Sequence, residues 1–176
     1  MTNFYPYLIA SLPMLHFGMK PPFSYEKFLE RCRGLICAED WALLSGLPDR
    51  GEIIRENLCQ PAARKWLSYD AALRNELVKV RASRRHIQPQ KYLRPDGYAG
   101  PAITHIALAA QRNPSILEAE KFLDAERWKA LDEISCGHYF DLDALVVYAY
   151  KLRILERWES VRLADKQALL EKALAL

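Results

Sequence analysis

Glycine is scarce in this chain, with seven in 176 residues, and none opens a G-x-x-x-x-G-K loop that would cradle a phosphate. There is no G-x-S-x-G elbow to present a hydrolytic serine and no H-E-x-x-H pair to hold a catalytic zinc. Histidine is also thin: His16, His86, His105 and His138 lie far apart. The four cysteines, Cys32, Cys37, Cys59 and Cys136, form no dense disulfide framework, and a chain of this length needs none. That usage fits a reducing cytoplasm. Long apolar runs are missing as well; Ala144 to Tyr150 falls far short of the ~18–20 residues a spanning helix requires. The opening Thr2–Ala10 is apolar but has no basic start and carries Pro6, so it reads as part of the fold, not as a secretion signal.

What remains is 51% hydrophobic and 27% charged, the composition of a single domain with a real core. Residues 4–10 fit either a short strand or an extended lead-in. Ser24 is a natural N-cap for a short helix stopped at Gly34, and a second short helix is expected from about Glu39 to Ser45. Residues 48–60 read as turn, brief helix and turn. Pro61, suited to a first helical turn, opens the clearest element. Trp66, Tyr69, Leu73, Leu77 and Val80 recur at spacings of three and four, one stripe of a long helix reaching about His86.

Pro89, Pro95, Gly97, Gly100 and Pro101 mark residues 87–101 as a loop or hinge. Helical patterns resume at 102–112 and from Ser115, and Gly137 breaks the chain. From an N-cap at Asp141 or Asp143 there is no further glycine or proline, and apolar residues cover both sides of the following helix. Such a helix belongs in the middle of a bundle. The expected architecture is a single all-α domain over 1–176, an elongated helical bundle with two long central helices and several short ones.

Candidate chemistry is sparse. Cys32 and Cys37, five apart, sit about 140° apart around a helix, so they do not share a face. Cys136-Gly137-His138 offers two ligands from a turn where zinc wants four, and a catalytic Cys136/His138 dyad has no better support. His105, among Ile103, Ile106 and Leu108, reads as a partly buried structural histidine. The pairs Glu39-Asp40, Asp132-Glu133 and Asp141/Asp143 sit at helix ends, where capping explains them. No enzyme activity, metal or cofactor is expected.

One feature invites function. Lys79, Arg81, Arg84, Arg85, Lys91 and Arg94 fall in an acid-free stretch that also holds Tyr92. It could meet phosphate or an acidic partner surface, and arginine favours protein interfaces. These six are the candidate partner-contacting residues. A nucleic-acid-binding helical module using 79–94 is the alternative; nucleic acid is the less favoured partner.

Two stretches resemble a specific family. The opening Phe4-Tyr5-Pro6-Tyr7-Leu8-Ile9-Ala10-Ser11-Leu12-Pro13 with Pro21-Pro22-Phe23-Ser24 and Phe28-Leu29 is similar to the start of a little-characterised bacterial family encoded among V-type (A/V-type) ATPase genes. Trp66, Ala72–Leu77 with Arg81-Ala82, and His138–Leu145 with Tyr148–Leu152 resemble it too. A more distant similarity is to the funnel-like, stalk-seating component of V-type ATPases, the C-type component known as d in eukaryotes. That family is all-helical, has no catalytic site and seats the central stalk on the membrane rotor ring. The present chain is much shorter than its members. The resemblance implies a non-catalytic central-stalk adapter or accessory protein of a V-type ATPase involved in proton or sodium transport. Its partners would be the ATPase central stalk and rotor ring. It would be cytoplasmic, peripheral to the inner membrane through the ATPase, with no membrane insertion of its own.

Overall fold

Seven α-helices and one 3₁₀ turn make up the described part of the chain, residues 3–48, 60–94 and 101–164 of a computed structural model. The all-α expectation holds. Among the described residues the sole β-type contact is an isolated antiparallel bridge between Phe4 and Asp141, and no helix is long and apolar enough to cross a membrane.

The lead-in is helical, not a strand: α1 spans Pro6–Ser11. Pro6 at its first turn sacrifices no hydrogen bond, and of the helix only Leu8 is fully buried. Helix α2 (Tyr25–Cys32) starts where Ser24 accepts from the Lys27 N–H, and Glu26 sits in its first turn. Gly34 follows with φ +81°, a left-handed conformation that glycine adopts without strain. Helix α3 (Ala38–Ser45) is capped by Cys37 Sγ. The turn-and-helix reading of 48–60 falls mostly outside the described residues, as does Cys59.

Helix α4 (Pro61–Arg85) runs 25 residues, about 37 Å at 1.5 Å per residue. The expected stripe is present, but burial extends well beyond it: Ala62, Ala63, Leu67, Asp70, Ala71, Ala72, Asn75 and Glu76 are also buried. The helix is therefore wrapped through its middle. It ends in a Schellman turn, with His86 at φ 54° and the Ile87 N–H donating to Ala82 O at 3.0 Å. The 3₁₀ turn (Gln90–Tyr92) occupies part of the expected 87–101 loop, and residues 95–100 lie outside the described residues.

Helices α5 (Pro101–Arg112), α6 (Ile116–Ile134) and α7 (Leu142–Leu163) complete the bundle. Asp141 is the N-cap of α7, accepting from the Ala144 N–H at 3.1 Å. As expected, α7 is central, packing on α2, α3, α4 and α6. Helix α7 ends at Leu163, where Ala164 turns extended, with no glycine or proline to mark the stop, and residues 165–176 are outside the described residues.

The core has two parts. Phe28, Leu44, Trp66, Leu131, Leu145, Val146, Leu152 and Leu155 form the larger. Leu73, Leu77, Ala107, Ala110 and Leu123 form a smaller one under α5. Phe28 stacks on Tyr148 at 5.3 Å, and Trp66 meets Tyr150 at 5.4 Å. At these separations each ring pair adds about 0.5–1.5 kcal/mol beyond its burial.

Candidate interaction surfaces

The polar centre of the bundle is an ion network joining α4, α6 and α7. Arg127 Nε donates to Asp70 Oδ1 and its Nη1 donates to Asp124 Oδ1, both at 2.9 Å. Arg74 Nε donates to the other Asp70 oxygen at 2.6 Å. Asp124 also accepts from Arg157 and, at 3.0 Å, from Trp158 Nε1. Arg127 is 2% exposed and Asp124 is 0% exposed. Burial pushes the Asp70 carboxyl upward, but the Arg127 and Arg74 guanidinium groups outweigh it and hold the carboxyl below its ordinary value.

This network forms the floor of a groove lined by Arg74, Arg81, Arg94, Arg127 and Arg157, with Tyr92 and Glu120, enclosing about 470 Å³. Asn75 positions one wall. Its Oδ1 accepts from the Arg94 N–H at 2.8 Å, and its Nδ2 donates to the Arg94 carbonyl at 3.0 Å. One buried amide thus supplies both backbone partners of Arg94 and pins the segment after the 3₁₀ turn against α4. A second cavity of about 820 Å³ shares Leu77, Arg81 and Glu120 with the first and adds Arg84 and Arg85.

Of the six cations singled out in the sequence, four come together. Arg81, Arg84 and Arg85 line the larger cavity, and Arg81 and Arg94 line the smaller. Lys91 is exposed and lines neither, and Lys79 is drawn to Glu76, with Nζ to Oε1 at 2.6 Å. The sequence reading missed Arg74, Arg127 and Arg157, which are distant in the chain. The signals available for them were Asp70 four residues before Arg74 and Asp124 three before Arg127 on helical faces.

A different surface gathers at the bridge between the N-terminal segment and α7. The Tyr5 N–H donates to Phe140 O at 2.6 Å, and Tyr148 Oη donates to Pro13 O at 3.1 Å. Around this junction Phe4, Tyr139 and Phe140 stay exposed, and Tyr7 on α1 is 92% exposed. Large aromatic side chains on a surface are the residue types that anchor protein interfaces.

Beside that surface, His138, Asp141 and Asp143 bring their ligand atoms within 4.8 Å of one another, the grouping best suited to a cation among the described residues. His138 Nδ1 lies 2.6 Å from Asp141 Oδ2 and 3.4 Å from Asp143 Oδ2. The remaining oxygens are already engaged: Asp141 Oδ1 caps α7, and Asp143 Oδ1 accepts from the Ala62 N–H at 3.2 Å and from the Gln60 side-chain Nε2. The positive end of the α7 dipole works against a cation here. The group is a double cap that ties α4 to α7. Cys136 is exposed and makes no hydrogen bond to His138 among the described residues, while Cys32 is buried and its thiol is pushed up to about 11 by desolvation. His105 is exposed, not partly buried as its apolar neighbours suggested, because Ile103, Ile106 and Ala107 take the inward face of α5.

Residues 102–169 match a family model described as "Protein of unknown function (DUF2764)", a span that takes in α5, α6 and α7 but less than half of the chain. No curated protein and no solved structure matches the chain.

Proposed function

We propose that this chain is a non-catalytic, all-helical accessory protein of a bacterial V-type ATPase, acting as a central-stalk adapter that docks through its exposed aromatic surface. The observation that carries the reading is spatial. Two of the stretches that resemble the ATPase-associated family, residues 4–13 and 138–152, are separate in sequence but joined by the Phe4–Asp141 bridge and the Tyr148–Pro13 hydrogen bond. Between them they expose Phe4, Tyr7, Tyr139 and Phe140, large aromatic side chains that the core does not use. The family-model match over 102–169 is consistent with this reading without naming an activity. The buried ionisable groups point the same way: Asp70 and Asp124 are matched within the bundle by Arg127, Arg74 and Arg157, a structural use of charge.

Gentle purification of the ATPase from native membranes tests the proposal. The wild-type chain should accompany the ATPase subunits. A Tyr7→Ser, Tyr139→Ser, Phe140→Ser variant should fold with an unchanged helical spectrum and be lost from the complex. Absence of the wild-type chain, or retention of the triple variant, would count against the proposal. The nucleic-acid alternative uses residues 79–94 and carries its own signature, a steep fall in affinity with rising salt. No binding at low salt removes it.

A further inference from the structure

We infer that the arginine-lined groove between α4, α6, α7 and the segment after the 3₁₀ turn is a binding site for a small, multiply charged phosphate, either a diphosphate or a phosphate ester. This holds whether or not the ATPase reading does. Five guanidinium groups reach the groove from four separate parts of the chain: Arg74 and Arg81 from α4, Arg94 from the pinned segment, Arg127 from α6 and Arg157 from α7.

Three carboxylates oppose them, Asp70 and Asp124 beneath the floor and Glu120 at the wall. Arg74, Arg127 and Arg157 are engaged by those carboxylates, whereas Arg81 and Arg94 have no ion-pair partner among the described residues. Two positive charges are therefore left over, enough for a dianion.

The site is built, not merely basic. Arg127 is 2% exposed and lines the groove, with its Nε and Nη1 fixed by Asp70 and Asp124. A guanidinium clamped at two nitrogens by buried carboxylates is already oriented before any ligand binds. Asn75 fixes the backbone that carries Arg94, so the ordering cost of that wall is met before any ligand binds.

The origin of the arginines on four separate parts of the chain favours phosphate over carboxylate. A planar carboxylate is satisfied by one guanidinium fork, while a phosphate group presents oxygens on several sides and accepts forks from different directions. The volume of about 470 Å³ suits a small organic phosphate. Tyr92, its ring exposed at the rim, is placed to cover the organic part of an ester.

Titration calorimetry of the full chain with inorganic pyrophosphate tests the inference, with citrate at matched ionic strength as control. Pyrophosphate should bind at one site, more tightly than citrate. Arg81→Ala and Arg94→Ala should each weaken it about tenfold or more, the usual loss for a charge-assisted contact. Both side chains lie outside the core, and the Asn75 clamp uses only the Arg94 backbone, so these variants should keep the wild-type melting temperature. Glu120→Gln removes the opposing charge at the wall and should tighten binding. No pyrophosphate binding at millimolar concentration, equal binding of citrate, or unchanged affinity in both arginine variants would overturn the inference. So would binding of an acidic peptide in place of pyrophosphate, which would make the groove a docking surface.

Discussion

Replacing Arg127 with methionine isolates the role of the buried ion network. Methionine keeps most of the aliphatic volume, so the principal change is loss of a guanidinium that neutralises Asp70 and Asp124. Breaking a buried ion pair by removing one partner costs about 3–5 kcal/mol. Here each orphaned carboxylate keeps another partner, Arg74 for Asp70 and Arg157 with Trp158 for Asp124, which places the expected loss near the lower end, about 3 kcal/mol. The pH dependence gives a second, independent handle. In the wild type, burial raises the Asp70 carboxyl, but Arg127 and Arg74 outweigh it, so the folded-state value lies below the ordinary 3.8. A depressed carboxyl contributes stability that is present above the unfolded value and is lost as pH falls through the folded value. In the variant the Arg127 contribution to that compensation is gone, and burial drives the carboxyl upward. Protonation then relieves the variant as pH falls, while the wild type loses its advantage. Urea denaturation followed by circular dichroism should show the gap widest near neutral pH and narrower at about pH 4 and below. A gap under about 1 kcal/mol at neutral pH, or one that does not change with pH, would refute the reasoning.

Two further outcomes follow from the local geometry. Asn75→Ala removes both backbone partners of Arg94 and should cost about 1–3 kcal/mol, with hydrogen exchange at residues 90–94 accelerating more than elsewhere. Unchanged exchange there would mean the segment is held by something else. His86→Gly relieves a left-handed non-glycine residue at the end of α4 and should be neutral to stabilising by up to about 1 kcal/mol in thermal unfolding, since the relieved strain exceeds the added unfolded-chain entropy. A clear loss of stability would show that the imidazole itself makes an important contact.

The helices were largely legible in the sequence because their ends carry local signals. Ser24, Pro61, Ser115 and Asp141 each begin a helix through a capping or first-turn preference that needs no tertiary information. The lead-in was misjudged because six residues of α1 are too few to show a helical period, and their conformation depends on packing under Leu8. The end of α7 was hidden for a related reason: no glycine or proline marks it. The candidate groove was half visible. The basic stretch located Arg81 and Arg94, but a run of like charge gives no hint that Arg127 and Arg157, far along the chain, converge on the same space. Asn75 was silent for the same reason, since its role lies in two hydrogen bonds to a backbone nineteen residues away. The aromatic surface needed the fold as well; Phe4 and Phe140 become neighbours only through the bridge.

The central claim is that the surface around Phe4, Tyr7, Tyr139 and Phe140 faces a component of a V-type ATPase. Site-specific photocrosslinking in living cells tests it most directly, with a photoreactive phenylalanine at position 139 and a control at Lys129, an exposed site on the outer face of α6. An adduct with an ATPase stalk or rotor protein from position 139, and none from position 129, is the predicted result. No ATPase adduct from position 139, or the same adducts from both positions, would contradict the account.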